Sequence, residues 1–135
     1  MIRASLLASL LTLVLVPAAL AANGITPLSP KSGASVPMGK SPTFKLRVSG
    51  PGQVWVHVCK SKKKDSEGVI CSTESIGRAK KKGSTYQYKP KFFQYPTFWL
   101  NTPGTYYWQA HRISCEGDTS DCRQEGAIVK FKVAG

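Results

Sequence analysis

The two histidines, His57 and His111, and the four cysteines, Cys59, Cys71, Cys115 and Cys122, have the widest chemical range of any side chains in this 135-residue chain. An imidazole moves protons or binds a metal near neutral pH, and a thiolate is a nucleophile or a metal ligand. Their spacing argues against both uses. No Cys-x-x-Cys array is present to hold zinc, and two imidazoles without a third ligand hold a metal ion weakly. Four cysteines in an exported chain imply two disulfides, with three pairings open. The local pairing, Cys59–Cys71 and Cys115–Cys122, is favoured because each pair brackets a polar turn containing glycine. Cysteines held in disulfides do not attack substrates. Glu116, Asp118, Asp121 and Glu125 gather in one late loop, but a calcium site needs a denser, ordered set of oxygens. There is no Gly-x-Ser-x-Gly elbow, His-Glu-x-x-His helix, phosphate-binding loop or glycine-rich dinucleotide turn. The expectation is a non-enzymatic protein with no metal and no cofactor.

Binding residues follow from alternation. In the run from Gln53 to Cys59, Val54, Val56 and Val58 share one face, and Trp55, His57 and Cys59 share the other. In the run from Leu100 to Arg112, Tyr106, Trp108 and Ala110 face a core, which turns Tyr107, Gln109 and His111 outward. If the two strands are neighbours, Trp55 and Tyr107 form a platform flanked by His57, Gln109 and His111. Such a platform could stack a sugar or grip a partner chain. Two other readings stay open. The aromatic pair could serve only to stabilise the sheet or lie beneath the segment after Lys60. Alternatively, Trp55 could be the buried residue and the valines the outer ones.

Charge supplies a second route to binding. The chain holds 19 basic and 7 acidic residues, a net +12, and such a balance favours anionic partners: a cell-surface polymer of the wall, phospholipid headgroups, an acidic glycan or nucleic acid. Two clusters stand out: Lys62, Lys63 and Lys64, then Lys80, Lys81 and Lys82. A strand of six or so residues between them would hold them about 20 Å apart, so one continuous patch is not implied. Nucleic acid is disfavoured, because it calls for basic residues interleaved with exposed aromatics.

The elements that must position these groups read as strands. Residues 1–21 form an export leader, with Arg3 as the positive end, residues 4–16 as the apolar run and Ala19-Leu20-Ala21 as the cleavage site. Cleavage before Ala22 removes Arg3 and leaves a secreted chain with no membrane span. Residues 22–27 read as a short linker and 28–135 as one domain. A proline-broken edge segment precedes an alternating strand ending at Val48, with Phe44, Leu46 and Val48 apolar. Gly50-Pro51-Gly52 then turns into the valine strand. Residues 60–83 look irregular. Tyr86 and Tyr88 mark another strand, residues 91–100 an aromatic plug, and Val129, Phe131 and Val133 the inward side of a last strand. The class is all-β, with about seven strands.

The stretch Leu100-Asn-Thr-Pro-Gly-Thr-Tyr-Tyr-Trp resembles the entry to strand F of a fibronectin type III module, with one residue inserted before the proline. The order of elements over residues 28–135 is similar to that of a fibronectin type III or related immunoglobulin-like module of a bacterial secreted protein. The resemblance implies a two-sheet antiparallel sandwich with Tyr106 as its tyrosine corner. It implies no inter-sheet disulfide of the antibody kind and no Arg-Gly-Asp adhesion loop, because neither set of residues is present. The expected function is an exported binding or surface-interaction module for an anionic or glycan ligand. The alternatives are an accessory subunit acting through protein–protein contact and, behind it, a small secreted hydrolase.

Overall fold

The computed structural model describes residues 21–66, 68–70, 76–90, 100, 102–115 and 122–135. Among these, every regular element is a strand: β1 (Ile25–Ser29), β2 (Ser35–Pro37), β3 (Phe44–Val48), β4 (Gln53–Cys59), β5 (Ile76–Arg78), β6 (Lys80–Lys82), β7 (Thr85–Tyr88), β8 (Gly104–Ile113), β9 (Arg123–Glu125) and β10 (Val129–Ala134). No helix among the described residues is long and apolar enough to cross a membrane. The export leader lies outside the described residues but for its last one, and the aromatic plug lies outside them but for Leu100.

The strands form two sheets. One has the order β1-β3-β7-β6. The other runs β2-β10-β8-β4-β5, with β9 also paired to β8, and it curls like half a barrel. The alternation read from the sequence sets their faces. Along β3, Phe44 and Leu46 are buried while Lys45 and Arg47 are exposed; along β10, Val129, Phe131 and Val133 are buried while Lys130 and Lys132 are exposed. Both sheets contribute to one core, with Ile25, Phe44 and Leu46 on one side and Val54, Val56, Val58, Tyr106, Trp108 and Phe131 on the other. Phe44 meets Trp108 and Phe131 edge-on across the gap, at centroid distances of 5.4 and 6.0 Å. Edge-to-face packing of this kind suits the aromatic quadrupole. The indole N–H of Trp108 is satisfied inside by the Pro30 carbonyl at 3.0 Å. With the valines in the core, the register that would have buried Trp55 and turned the valines outward is excluded.

Four three-residue strands, β2, β5, β6 and β9, were not legible as strands. β1 begins at Ile25, a core residue, inside the six residues read as a linker. The irregular middle conceals a change of sheet. β5 pairs with β4 and β6 pairs with β7, so the chain crosses between sheets at Ala79, whose N–H donates to the Val54 carbonyl at 2.9 Å. The turn before β4 is as expected: Gly50 and Gly52 have φ of 99° and 119°, a region that favours glycine.

Two contacts fix the arrangement. The Tyr106 ring is buried, and its hydroxyl donates to the Thr102 carbonyl at 2.8 Å. This ties the start of β8 to the turn before it, as the sequence led one to expect. At Gly77, a Cβ would overlap the Tyr88 ring, so β5 can lie beside β4 only if residue 77 has no side chain.

Tyr106→Phe is expected to lower stability by about 1 kcal/mol, because a carbonyl loses its partner; a urea melt unchanged from wild type would contradict this. Gly77→Ala should cost more, about 1–3 kcal/mol from overpacking. The same melts decide that point.

Candidate functional site

The outer face of β4 and β8 gathers the residues singled out by alternation, but it is not open. The parity is as read: His57 pairs with Gln109 and Trp55 with His111 in the β4–β8 ladder. His57, Gln109 and His111 are nonetheless 1%, 0% and 3% exposed, and Trp55 and Tyr107 are half-buried. A hairpin of the segment after Lys60 packs on this face and is hydrogen-bonded to Gln109. Lys64 bridges to Ile70, Asp65 N donates to the Val69 carbonyl at 2.9 Å, and the Asp65 carboxylate accepts the Val69 N–H at 3.1 Å. The hairpin buries Val69 and Ile70 completely. The register sets Trp55 opposite His111 and Tyr107 opposite Cys59, so the two aromatics do not meet as a platform; the polar residues between them are enclosed, with the hairpin bonded to Gln109.

Three polar side chains in a dry layer must find partners among themselves or in the backbone. Gln109 does so through both ends of its amide. Its Oε1 accepts the Ile70 N–H at 3.1 Å, and its Nε2 donates to the Gly126 carbonyl at 3.0 Å. It thereby pins the covering hairpin and the β9–β10 junction to β8. His57 Nε2 and His111 Nδ1 lie 2.6 Å apart, so one ring donates and the other accepts. Burial pushes the His111 pKa down from 6.5 to about 3, helped by His57 and Arg123, while Asp65 pulls weakly the other way. His111 is held neutral near pH 7, and the pair is an interior link between strands. External substrate does not reach it.

The cysteines match the oxidised expectation where they are described. Cys115 and Cys122 are joined, with Cα atoms 5.9 Å apart, closing the end of β8 onto the start of β9. Cys59 is also in a disulfide; Cys71, the partner the sequence suggested, lies outside the described residues. So do Glu116, Asp118 and Asp121 of the acidic loop. Among the described residues, no three metal-ligating side chains converge.

The lysine clusters are exposed, and they sit on different parts of the fold. Lys62, Lys63 and Lys64 follow β4, and Lys80, Lys81 and Lys82 form β6, an edge of the other sheet. A cavity of about 400 Å³ opens where the chain changes sheets, and Gln53, Val54, Arg78, Lys80, Lys81 and Tyr86 are among its lining. Among the described residues, no carboxylate lines it. Arg78 was missed in the sequence because its strand was missed; the exposed–buried–exposed order of Arg78, Ala79 and Lys80 was the available signal.

No family model, no curated protein and no solved structure matches this chain. The functional reading therefore rests on the residues themselves.

The buried histidines predict a pH dependence of stability. The unfolded chain takes up a proton on His111 near 6.5, and the native state resists it down to about 3. The unfolded state thus binds more protons throughout that window, so stability is full above it and falls as the pH drops through it. Urea midpoints at about pH 7.5 and pH 4.5 should differ by the equivalent of about 1–2 kcal/mol more in wild type than in His111→Gln. Equal pH responses would contradict a buried His111 that resists protonation.

Proposed function

We propose that this chain is an exported, non-enzymatic binding module of the fibronectin type III/immunoglobulin-like sandwich class, with an anionic ligand. The strand order supports the class. β1-β3-β7-β6 and β10-β8-β4-β5 follow the A-B-E-D and G-F-C-C′ orders of immunoglobulin-like sheets. The Tyr106 hydroxyl bond to the Thr102 carbonyl has the form of a tyrosine corner.

One observation carries the ligand class: the cavity at the sheet crossing is lined by Arg78, Lys80 and Lys81, with no acid among the described residues there to neutralise them. Guanidinium and ammonium groups gathered at a concave, water-exposed edge suit carboxylate, sulfate or phosphate groups. A ligand held by stacking is less well supported, since Trp55 and Tyr107 are half-covered. The anionic character is compatible with a cell-surface polymer or an acidic glycan.

Retention on a sulfated polysaccharide column should fall steeply between about 50 and 200 mM salt, as charge contacts are screened. The double change Arg78→Gln with Lys81→Gln should lower the eluting salt concentration markedly, and Trp55→Ala or Tyr107→Ala should leave it alone. Salt-independent retention, or loss only with the aromatic changes, would reject this reading in favour of a stacked ligand.

A further inference from the structure

The outer face of the β1-β3-β7-β6 sheet carries a regular array of cations that the lysine clusters alone do not reveal. Lys45, Arg47, Lys80 and Lys82 are all exposed, while Phe44 and Leu46, which alternate with the first two, are in the core. Register puts them in rows. Lys45 lies opposite Gln87, and Gln87 lies opposite Lys80; Lys82 lies opposite Thr85. Thr26 lies opposite Arg47 on the other side. Gln87 donates to the Thr85 hydroxyl at 3.4 Å between the charged rows. Strand geometry spaces the cations about 7 Å along each strand and about 10 Å across the intervening one.

Among the described residues, no carboxylate interrupts this array. All seven acids of the chain fall within 65–74 or 116–125, and none is on these four strands. Large exposed apolar side chains are also missing from the face; among the described residues only Met38 is one.

We propose that this sheet face docks flat on an anionic phospholipid surface. The proposal rests on the anionic-ligand reading and names the partner. A two-dimensional grid of cations on a pleated face fits a plane of charged headgroups, whereas a single polymer strand would engage one row of it. Single-stranded nucleic acid would call for stacking aromatics, which this face does not present. The described residues of the face offer nothing apolar to insert, and attachment through them is electrostatic, reversible and sensitive to salt.

The test uses the exported form of the protein and co-sedimentation with phosphatidylcholine vesicles, with or without about 30 mol % phosphatidylglycerol. Two threefold variants remove equal charge: Lys45→Gln, Arg47→Gln and Lys82→Gln on the sheet face and away from the cavity, and Lys62→Gln, Lys63→Gln and Lys64→Gln elsewhere. Urea melts confirm that both variants fold. Binding should require the anionic lipid, and the face variant should bind roughly a hundredfold more weakly, with the other variant within a few-fold of wild type. Equal losses in both variants, binding without the anionic lipid, or no vesicle binding would overturn the proposal. If the vesicles are ignored while the sulfated column still retains the protein, the membrane partner is rejected and the anionic-ligand reading stands. Failure on both removes both.

Discussion

Gln109 sits in the middle of β8 with its amide wholly out of water, and the arrangement around it depends on giving that amide partners. A buried amide left unsatisfied costs about 1–3 kcal/mol, whereas one hydrogen-bonded at both ends is stabilising. The Ile70 N–H and the Gly126 carbonyl supply those partners from two separate segments. One belongs to the hairpin that closes over the sheet, the other to the junction between β9 and β10. Gln109 therefore joins pieces of chain that do not touch through the main core. The neighbouring histidine pair adds a side-chain link between β4 and β8, which the ladder already joins, at the cost of holding an imidazole that resists protonation.

The consequence is that β4 and β8 are buried on both faces in different ways. Their inner face is apolar and packs against the opposite sheet through Val54, Val56, Val58, Tyr106 and Trp108. The outer face is a polar layer capped by Val69 and Ile70. A polar layer is more directional than an apolar one, because its hydrogen bonds tolerate little displacement. It fixes where the hairpin lies, while the apolar face supplies most of the burial.

This division also explains what could be read from the sequence. Parity along a strand is encoded in every second residue, so the faces of β3, β4, β8 and β10 were legible, and so was the Tyr106 turn. What covers a face is not encoded in the strand beneath it. His57, Gln109 and His111 look like an exposed platform until the hairpin from 64–70 is placed over them. The short strands were hidden for a related reason: three residues give too few alternations to declare a period. β5 and β6 are further disguised because they form one run, from Ile76 to Lys82, split between two sheets at Ala79. Lys80, Lys81 and Lys82 therefore looked like a charged loop.

That run matters for the distribution of charge as much as for the topology. By crossing from one sheet edge to the other, it sets Arg78 and Lys81 at the cavity and Lys80 and Lys82 in line with Lys45 and Arg47. The acids are confined to 65–74 and 116–125, and two of them, Asp65 and Glu125, are half-buried in the covering hairpin and in β9. A chain that merely used lysine for solubility would gain nothing from this separation, because mixed signs keep a surface soluble as well. The described residues of the outer β1-β3-β7-β6 face carry charge of one sign, and such a field draws anions from a distance and orients a molecule as it approaches. Polar residues thus divide between two roles, the uncharged ones locking the interior layer and the cations, set apart from the acids, left for the outside.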